Sequence, residues 1–256
     1  MLAASYLTPD WPAPAGVRAA FTLRTAGVSL RPFDSLNIGA HVGDAAEAVT
    51  ENRLRIRCAL GLAAEPAWLE QVHGAEVADL DAETPLTRAD AALTRMPGRV
   101  CAVQVADCLP VLLAARTGSA VAAAHCGWRG LAGGVLEATV RALKVPANEL
   151  YAWLGPAIGP AAFEVGEEVR AAFLIQDARA AAAFATNLRG RWQCDLFALA
   201  RQRLSALGVS AVYGGGVCTH ADPRRFFSYR RDGRCGRMAA LIWLSKQPRG
   251  RSSSAC

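Results

Sequence analysis

The stretch Val100-Cys101-Ala102-Val103-Gln104-Val105-Ala106-Asp107-Cys108-Leu109-Pro110-Val111-Leu112-Leu113-Ala114-Ala115, followed at Ala120 by a third apolar run to His125, decides the fold class. Runs this short, rich in valine and leucine and closed by turn residues, read as strands buried on both faces. We predict strands over Val100–Val105, Val111–Ala115 and Ala120–His125, the first two joined through the bend Asp107-Cys108-Leu109-Pro110. Working outward, Gly127 ends the third run and a helix is expected from Leu131 to Leu143. Tyr151–Leu154 reads as a further strand, leading into Gly155-Pro156-Ala157-Ile158-Gly159-Pro160. Helices are expected over Gly166–Phe173 and Leu196–Leu207, and strands over Val209–Tyr213 and Met238–Leu244. Upstream, Ala45–Leu60 reads as a helix with Asp44 as its cap, Glu47 at the capping-box position and Gly61 as its stop. This mixture predicts a single α/β (α+β) domain over residues 1–245, a mixed central sheet with flanking helices. The polar, Arg/Ser-rich tail from Lys246 to Cys256 is expected to be disordered.

Composition narrows the function classes. With 256 residues, 52% of them hydrophobic and 20% charged, the chain is an ordinary globular protein able to bury a large core. The net charge of +6 suggests nucleic acid at first sight. Lysine, however, is confined to Lys144 and Lys246, and the arginines are dispersed through an alanine-rich chain. One cluster stands out: Arg224, Arg225, Arg230, Arg231, Arg234 and Arg237. With no recognition fold beside it, it reads as structural or small-anion-binding rather than nucleic-acid-binding. Met1–Pro14 lacks the basic start and apolar core of a secretory signal and no apolar run is long enough to span a bilayer, so neither secretion nor a membrane partner is expected. The 8 cysteines show no C-x-x-C pairing, which fits reduced thiols in the cytoplasm.

Three segments dense in small and special-purpose residues each carry one soft or borderline metal donor. They are Gln71-Val72-His73-Gly74, Ala106-Asp107-Cys108-Leu109-Pro110 and His125-Cys126-Gly127-Trp128-Arg129-Gly130. Two imidazoles and a thiolate would hold zinc and leave a fourth position open, the pattern of a catalytic site. The plainer reading is that Cys108 is a small core residue, since these spacings form no ligand signature. Cys126 follows His125 on a strand and must point to the other face, so His125 is the ligand of choice. Gly127 and Gly130 let backbone amides approach an anion that Arg129 would reinforce; equally, the segment is a tight turn capped by a tryptophan. Asn37, His41, Arg53 and Gln71 are further candidates for substrate contact. Competing with the metal is a Cys108 nucleophile activated by His125, with Asp107 or another acid as orienter.

Taken together with Trp153-Leu154-Gly155-Pro156 and Phe226-Phe227-Ser228-Tyr229-Arg230-Arg231-Asp232, these motifs resemble the laccase-domain family from about Asn37 to Leu244. That family is also labelled multicopper polyphenol oxidase-like and, more recently, purine nucleoside phosphorylase. The resemblance implies a zinc held by two His and one Cys, here His73, Cys108 and His125. It also implies phosphorolysis of adenosine, inosine and methylthioadenosine, deamination of adenosine, and in some bacterial relatives a part in peptidoglycan editing, whether as an enzyme or as a non-enzymatic partner. Cys126 departs from the pattern, standing where the family has a small residue such as alanine. The older oxidase label fits poorly. A laccase needs a trinuclear copper cluster beside its blue-copper site, and this chain has only 4 histidines.

Overall fold

A computed structural model describes residues 5–245. The expected tail, residues 246–256, lies outside the described residues. Three sheets are present. The first has the order β1 (Tyr6–Leu7), β2 (Val17–Thr22), β13 (Met238–Leu244), β5 (Val100–Val105). The second, six-stranded, runs β12 (Ala211–Gly214), β8 (Leu150–Leu154), β6 (Leu109–Ala115), β7 (Val121–Cys126), β4 (Ala91–Thr94), β3 (Val77–Asp79). A small third sheet joins β10 (Phe184–Thr186), β11 (Trp192–Cys194) and β9 (Glu164–Val165). The helices are α1 (Ala46–Ala59), α2 (Trp128–Ala132), α3 (Val135–Leu143), α4 (Glu167–Leu174), α5 (Leu196–Ala206) and α6 (Tyr229–Asp232). None of them is long and apolar enough to cross a membrane.

The sheets explain the continuous apolar runs. In β6, Leu112 and Ala114 pack with Val121 and Ala123 of β7 against Phe21, Val103 and Ile242 of the first sheet. Their alternates, Val111 and Leu113 with Ala122 and Ala124, face Leu131, Leu136, Phe173 and Leu199 on the helical side. Both faces of β6 and β7 are therefore covered, and no polar alternation survives. On the other face of the first sheet, Ala102 and Leu241 form a smaller cluster with Ile38 and Leu62, with Trp68 and Trp243 packed against it.

The expected mixed α/β class is what the structure has, with four local differences. β5 and β6, adjacent in sequence, belong to different sheets. The bend between them is a crossover, with Asp107 in the left-handed region at φ 87°. The expected helix over 131–143 is two helices, because Gly134 takes φ 90° and breaks the run between α2 and α3. Asp44 does not cap α1. Its N-cap is Ala45, and the Asp44 carboxylate instead accepts from the backbone N–H of Ala45, from Ser29 Oγ at 2.6 Å and from Asn37 Nδ2 at 2.9 Å. The expected strand at Val209–Tyr213 is shifted to Ala211–Gly214, while Val100–Val105 and Met238–Leu244 agree residue for residue.

Candidate metal centre

The crossover and the ends of β6 and β7 meet at one place. β6 and β7 pair antiparallel with Pro110 opposite His125, so Cys108, just ahead of β6, arrives beside His125. His73 comes from the loop before β3, held at φ 60°. The donor atoms of His73, Cys108 and His125 all lie within 4.8 Å of one another, the one such group among the described residues. Cys108 Sγ is 3.9 Å from His73 Nε2, and the two imidazole rings meet edge-on with centroids 4.8 Å apart.

One buried carboxylate organises two of these three residues. Asp90 stands immediately before β4 and is fully buried. Its Oδ1 accepts from the backbone N–H of His73 at 3.0 Å and its Oδ2 from those of Val72 and Gly74 at 3.0 and 2.7 Å. Three successive amides wrapped on one carboxylate fix the loop and impose its unusual backbone. Asp90 Oδ1 also lies 2.8 Å from His125 Nδ1, which directs Nε2 of that ring toward the site. Burial works against the Asp90 charge. The hydrogen bonds from His125 and the amides outweigh it and hold the carboxyl below its usual range.

The thiol and imidazole form a charge pair. Burial alone would raise the Cys108 thiol, but the neighbouring charge of His125 and hydrogen bonds from both histidines bring it down to about 6. For His125 burial acts downward, and the Cys108 thiolate with the Asp90 hydrogen bond reverses it, lifting the imidazole to about 9. Cys126 lies on the opposite face among Leu131 and Val135, its thiol pushed well above the ordinary value by burial. It is no ligand.

The donor set suits a metal. Two imidazoles and a thiolate match zinc or copper, the second ring nitrogen of His125 has its carboxylate partner, and room has been left at the backbone. That room is at Gly127, where a Cβ would come within 2.9 Å of both Cys108 Sγ and His73 Cδ2. At Gly130 a Cβ would stand 3.0 Å from the Gly74 carbonyl. The glycines of the His125–Gly130 segment thus let α2 abut the His73 loop.

Two hollows open at His73 and Cys108, sharing Ala106 and Tyr229 as common wall. One, of about 230 Å³, is lined by Trp128, Ile158, Phe163 and Leu196 together with Arg129 and Arg230. Arg129 lies over the Trp128 ring at 4.4 Å. The other, of about 340 Å³, is more polar and includes His41, Gln71, Gln104, His125 and Arg237. His41 is held below its usual value by burial, then by Arg237 and Arg53, and so faces this hollow as a neutral imidazole near neutral pH.

Of the residues singled out in the sequence, His73, Cys108, His125, Gly127, Arg129 and His41 converge here. Three others have different work in this structure. The Gln71 amide is spent on the backbone of Gln104, accepting from its N–H at 2.7 Å and donating to its carbonyl at 2.9 Å. Asn37 is fully buried; its Oδ1 accepts from Gly39 and Arg237 N–H, and its Nδ2 donates to Gly39 O and Asp44. Arg53 donates to the Ile38 carbonyl and lies over Trp68, and it is not part of the hollow's lining. Asp107 does not orient His125; it binds Thr219 Oγ1, Ser228 Oγ and the Arg230 N–H, tying the crossover to α6. Most of the arginine cluster is likewise structural, Arg231 bonding the carbonyls of Thr219, His220 and Phe226. Sequence reading missed Asp90, Gln104 and Tyr229. Asp90 left a trace as a lone charge within Ala89-Asp90-Ala91-Ala92-Leu93, and Tyr229 lies within the Phe226–Asp232 run that carried the resemblance without being singled out.

The chain belongs to the family described as multi-copper polyphenol oxidoreductase laccase, which it matches over residues 18–245. It is 57% identical to a purine nucleoside phosphorylase of Pseudomonas aeruginosa over 94% of this chain and 98% of that one. To purine nucleoside phosphorylase YfiH of Escherichia coli it is 53% identical, over 93% and 98%. Among solved structures, a Neisseria meningitidis protein superposes with a TM-score of 0.90 at 50% identity, covering 95% of this chain and all (100%) of that one. YlmD from Geobacillus stearothermophilus gives 0.84 at 32% identity, over 96% and 98%. The family description speaks of several coppers, whereas the described residues supply a single three-donor group.

Proposed function

We propose that this protein is a zinc-dependent purine nucleoside phosphorylase acting on adenosine, inosine and methylthioadenosine, with an accompanying adenosine deaminase activity, working in the cytoplasm as one unit over residues 1–245. The names of its close relatives support the reaction class. The observation that carries it at the site is the pairing of the His73–Cys108–His125 group with Arg129. Among the described residues that arginine's guanidinium makes no hydrogen bond, and it lines the hollow beside these ligands. Free thiols throughout the described chain favour a reducing compartment.

In phosphorolysis, a phosphate oxygen bonds to ribose C1′ as the C1′–N9 bond breaks, releasing the purine and ribose-1-phosphate. Arg129, steadied on Trp128, offsets the charge of the incoming phosphate. Asp90 holds His125 and the His73 loop in place, so that little reorganisation is left for the reaction. His73, Cys108 and His125 would hold the zinc, which supplies a Lewis acid able to activate water for attack at purine C6 in deamination. The test is product analysis of zinc-replete protein given adenosine with and without phosphate. Free adenine and ribose-1-phosphate only with phosphate, and inosine in both samples, are expected; neither product would end the reading.

One geometric feature favours a second reading. Cys108, His125 and Asp90 lie in the order of a thiolate, base and orienting acid, with a lowered thiol and a His125–Asp90 distance of 2.8 Å. A cysteine hydrolase or deamidase of this kind would keep its turnover in chelator and lose it to alkylation of Cys108.

A further inference from the structure

Gln104 is anomalous in its surroundings. It lies on β5, an edge strand of the first sheet, and the Gln71 amide pairs with its backbone as a neighbouring strand would. Its main chain is thereby satisfied, while its own side chain is not. The residue is only 6% exposed, and its Oε1 is buried with no hydrogen-bond partner. Among the described residues the side-chain amide has no hydrogen-bond partner at either end. Buried amides are normally paired, and an unpaired one costs free energy until a partner arrives. The other buried side chains with unpaired polar atoms are Glu137, Arg170 and Gln193. Of the four, Gln104 alone lines the hollows beside His73 and Cys108.

The chemistry of the amide restricts its partner. It carries donors and an acceptor side by side, so an anion, which only accepts, would leave Oε1 unmatched. An edge with an adjacent donor and acceptor satisfies both ends. A 6-aminopurine offers its amino group beside N1, a 6-oxopurine offers its carbonyl beside N1–H, and an amide turned over pairs with either. The layout agrees, on the phosphorylase reading above. In a displacement at C1′ the phosphate and the base occupy opposite sides of that carbon, and Arg129 and Gln104 line two different hollows, each of which also includes His73 and Cys108. We propose that Gln104 recognises the 6-position edge of the purine, with Gln71 as the positioning residue that fixes it in the wall of the base-binding hollow.

The experiment measures phosphorolysis by the zinc-loaded wild type and by Gln104→Met on adenosine, purine riboside, which lacks the 6-substituent, and 2′-deoxyadenosine. Ratios within one preparation are insensitive to any unfolded fraction, and Gln104→Glu serves if the Met variant does not fold. The proposal expects the kcat/KM preference for adenosine over purine riboside to fall by about tenfold or more, the preference over 2′-deoxyadenosine staying unchanged. An unchanged adenosine-to-purine-riboside ratio overturns it, and so does a loss confined to the 2′-deoxyadenosine comparison, which would place Gln104 on the ribose. Wild-type protein inactive on all three nucleosides removes the phosphorylase reading itself, and this assignment with it.

Discussion

Asp90 and Gly127 decide whether three donors become a binding site. Replacing Asp90 with Asn keeps its shape but sets an NH2 group against the amides it now accepts from. We expect metal affinity to fall about 10–100-fold, as when the partner of a ligating histidine is lost. Folding stability should drop by roughly 3 kcal/mol from the broken charged network. Chelator competition reads the first and urea unfolding the second. Gly127→Ala acts differently. Its Cβ would stand 2.9 Å from Cys108 Sγ and His73 Cδ2, so the ligands themselves must shift. Its expected signature is a lower zinc content in purified protein, together with a loss of about 1–3 kcal/mol in unfolding, as for an overpacked buried position. At this scale the sequence was informative about the ligands, because each sits in a segment built of glycine, proline and tryptophan. It was silent about Asp90, which acts through amides 16–18 positions upstream, a relation that no periodicity encodes. Gln71 and Asn37 show the complementary ambiguity. A polar residue in a turn looks the same whether it binds a substrate or another stretch of backbone.

Elements were legible where packing is symmetrical. β5, β6 and β7 are covered on both faces, so their apolar runs mark them directly. β2 and β4, written Val-Arg-Ala-Ala-Phe-Thr and Ala-Ala-Leu-Thr, carry alanine that suits a helix equally well, and tertiary pairing rather than propensity makes them strands. The break between α2 and α3 was overlooked because the apolar spacing continues across Gly133-Gly134. The structure needs the break so that α2 can lie against the His73 loop while α3 lies on the sheet. Gly134→Ala tests its worth. A Cβ there meets nothing nearer than Glu137 Oε2 at 3.6 Å, so the penalty is one of backbone conformation at φ 90°. It should destabilise by about 1–2 kcal/mol in urea with the slope unchanged and zinc content intact. A much larger loss would mean that the break also carries packing.

In the whole molecule the candidate metal centre is a seam. His73 belongs to a loop, Cys108 to the crossover between the two large sheets, and His125 to the end of β7, so an ion bound there would tie these parts together. The core does not depend on that tie. The cluster between the sheets and the cluster under the helices are extensive, and each is completed by residues far from the site, such as Ile242 and Phe173. Removing zinc should therefore leave the fold standing and lower its stability only by linkage, about 2.7 kcal/mol at a hundredfold excess of zinc over its Kd. For a chain of this size that corresponds to a fall in Tm of roughly 5–10 °C. Far-UV circular dichroism at room temperature should be the same before and after chelation. Phosphorolysis should disappear and return with added zinc, while iodoacetamide should label Cys108 only in the stripped protein. The pattern separates three states of affairs. Unfolding on chelation would make the metal structural, turnover that persists in chelator would favour the thiolate chemistry of Cys108 and His125, and reversible loss of turnover in a folded protein is what a catalytic ion at this seam requires.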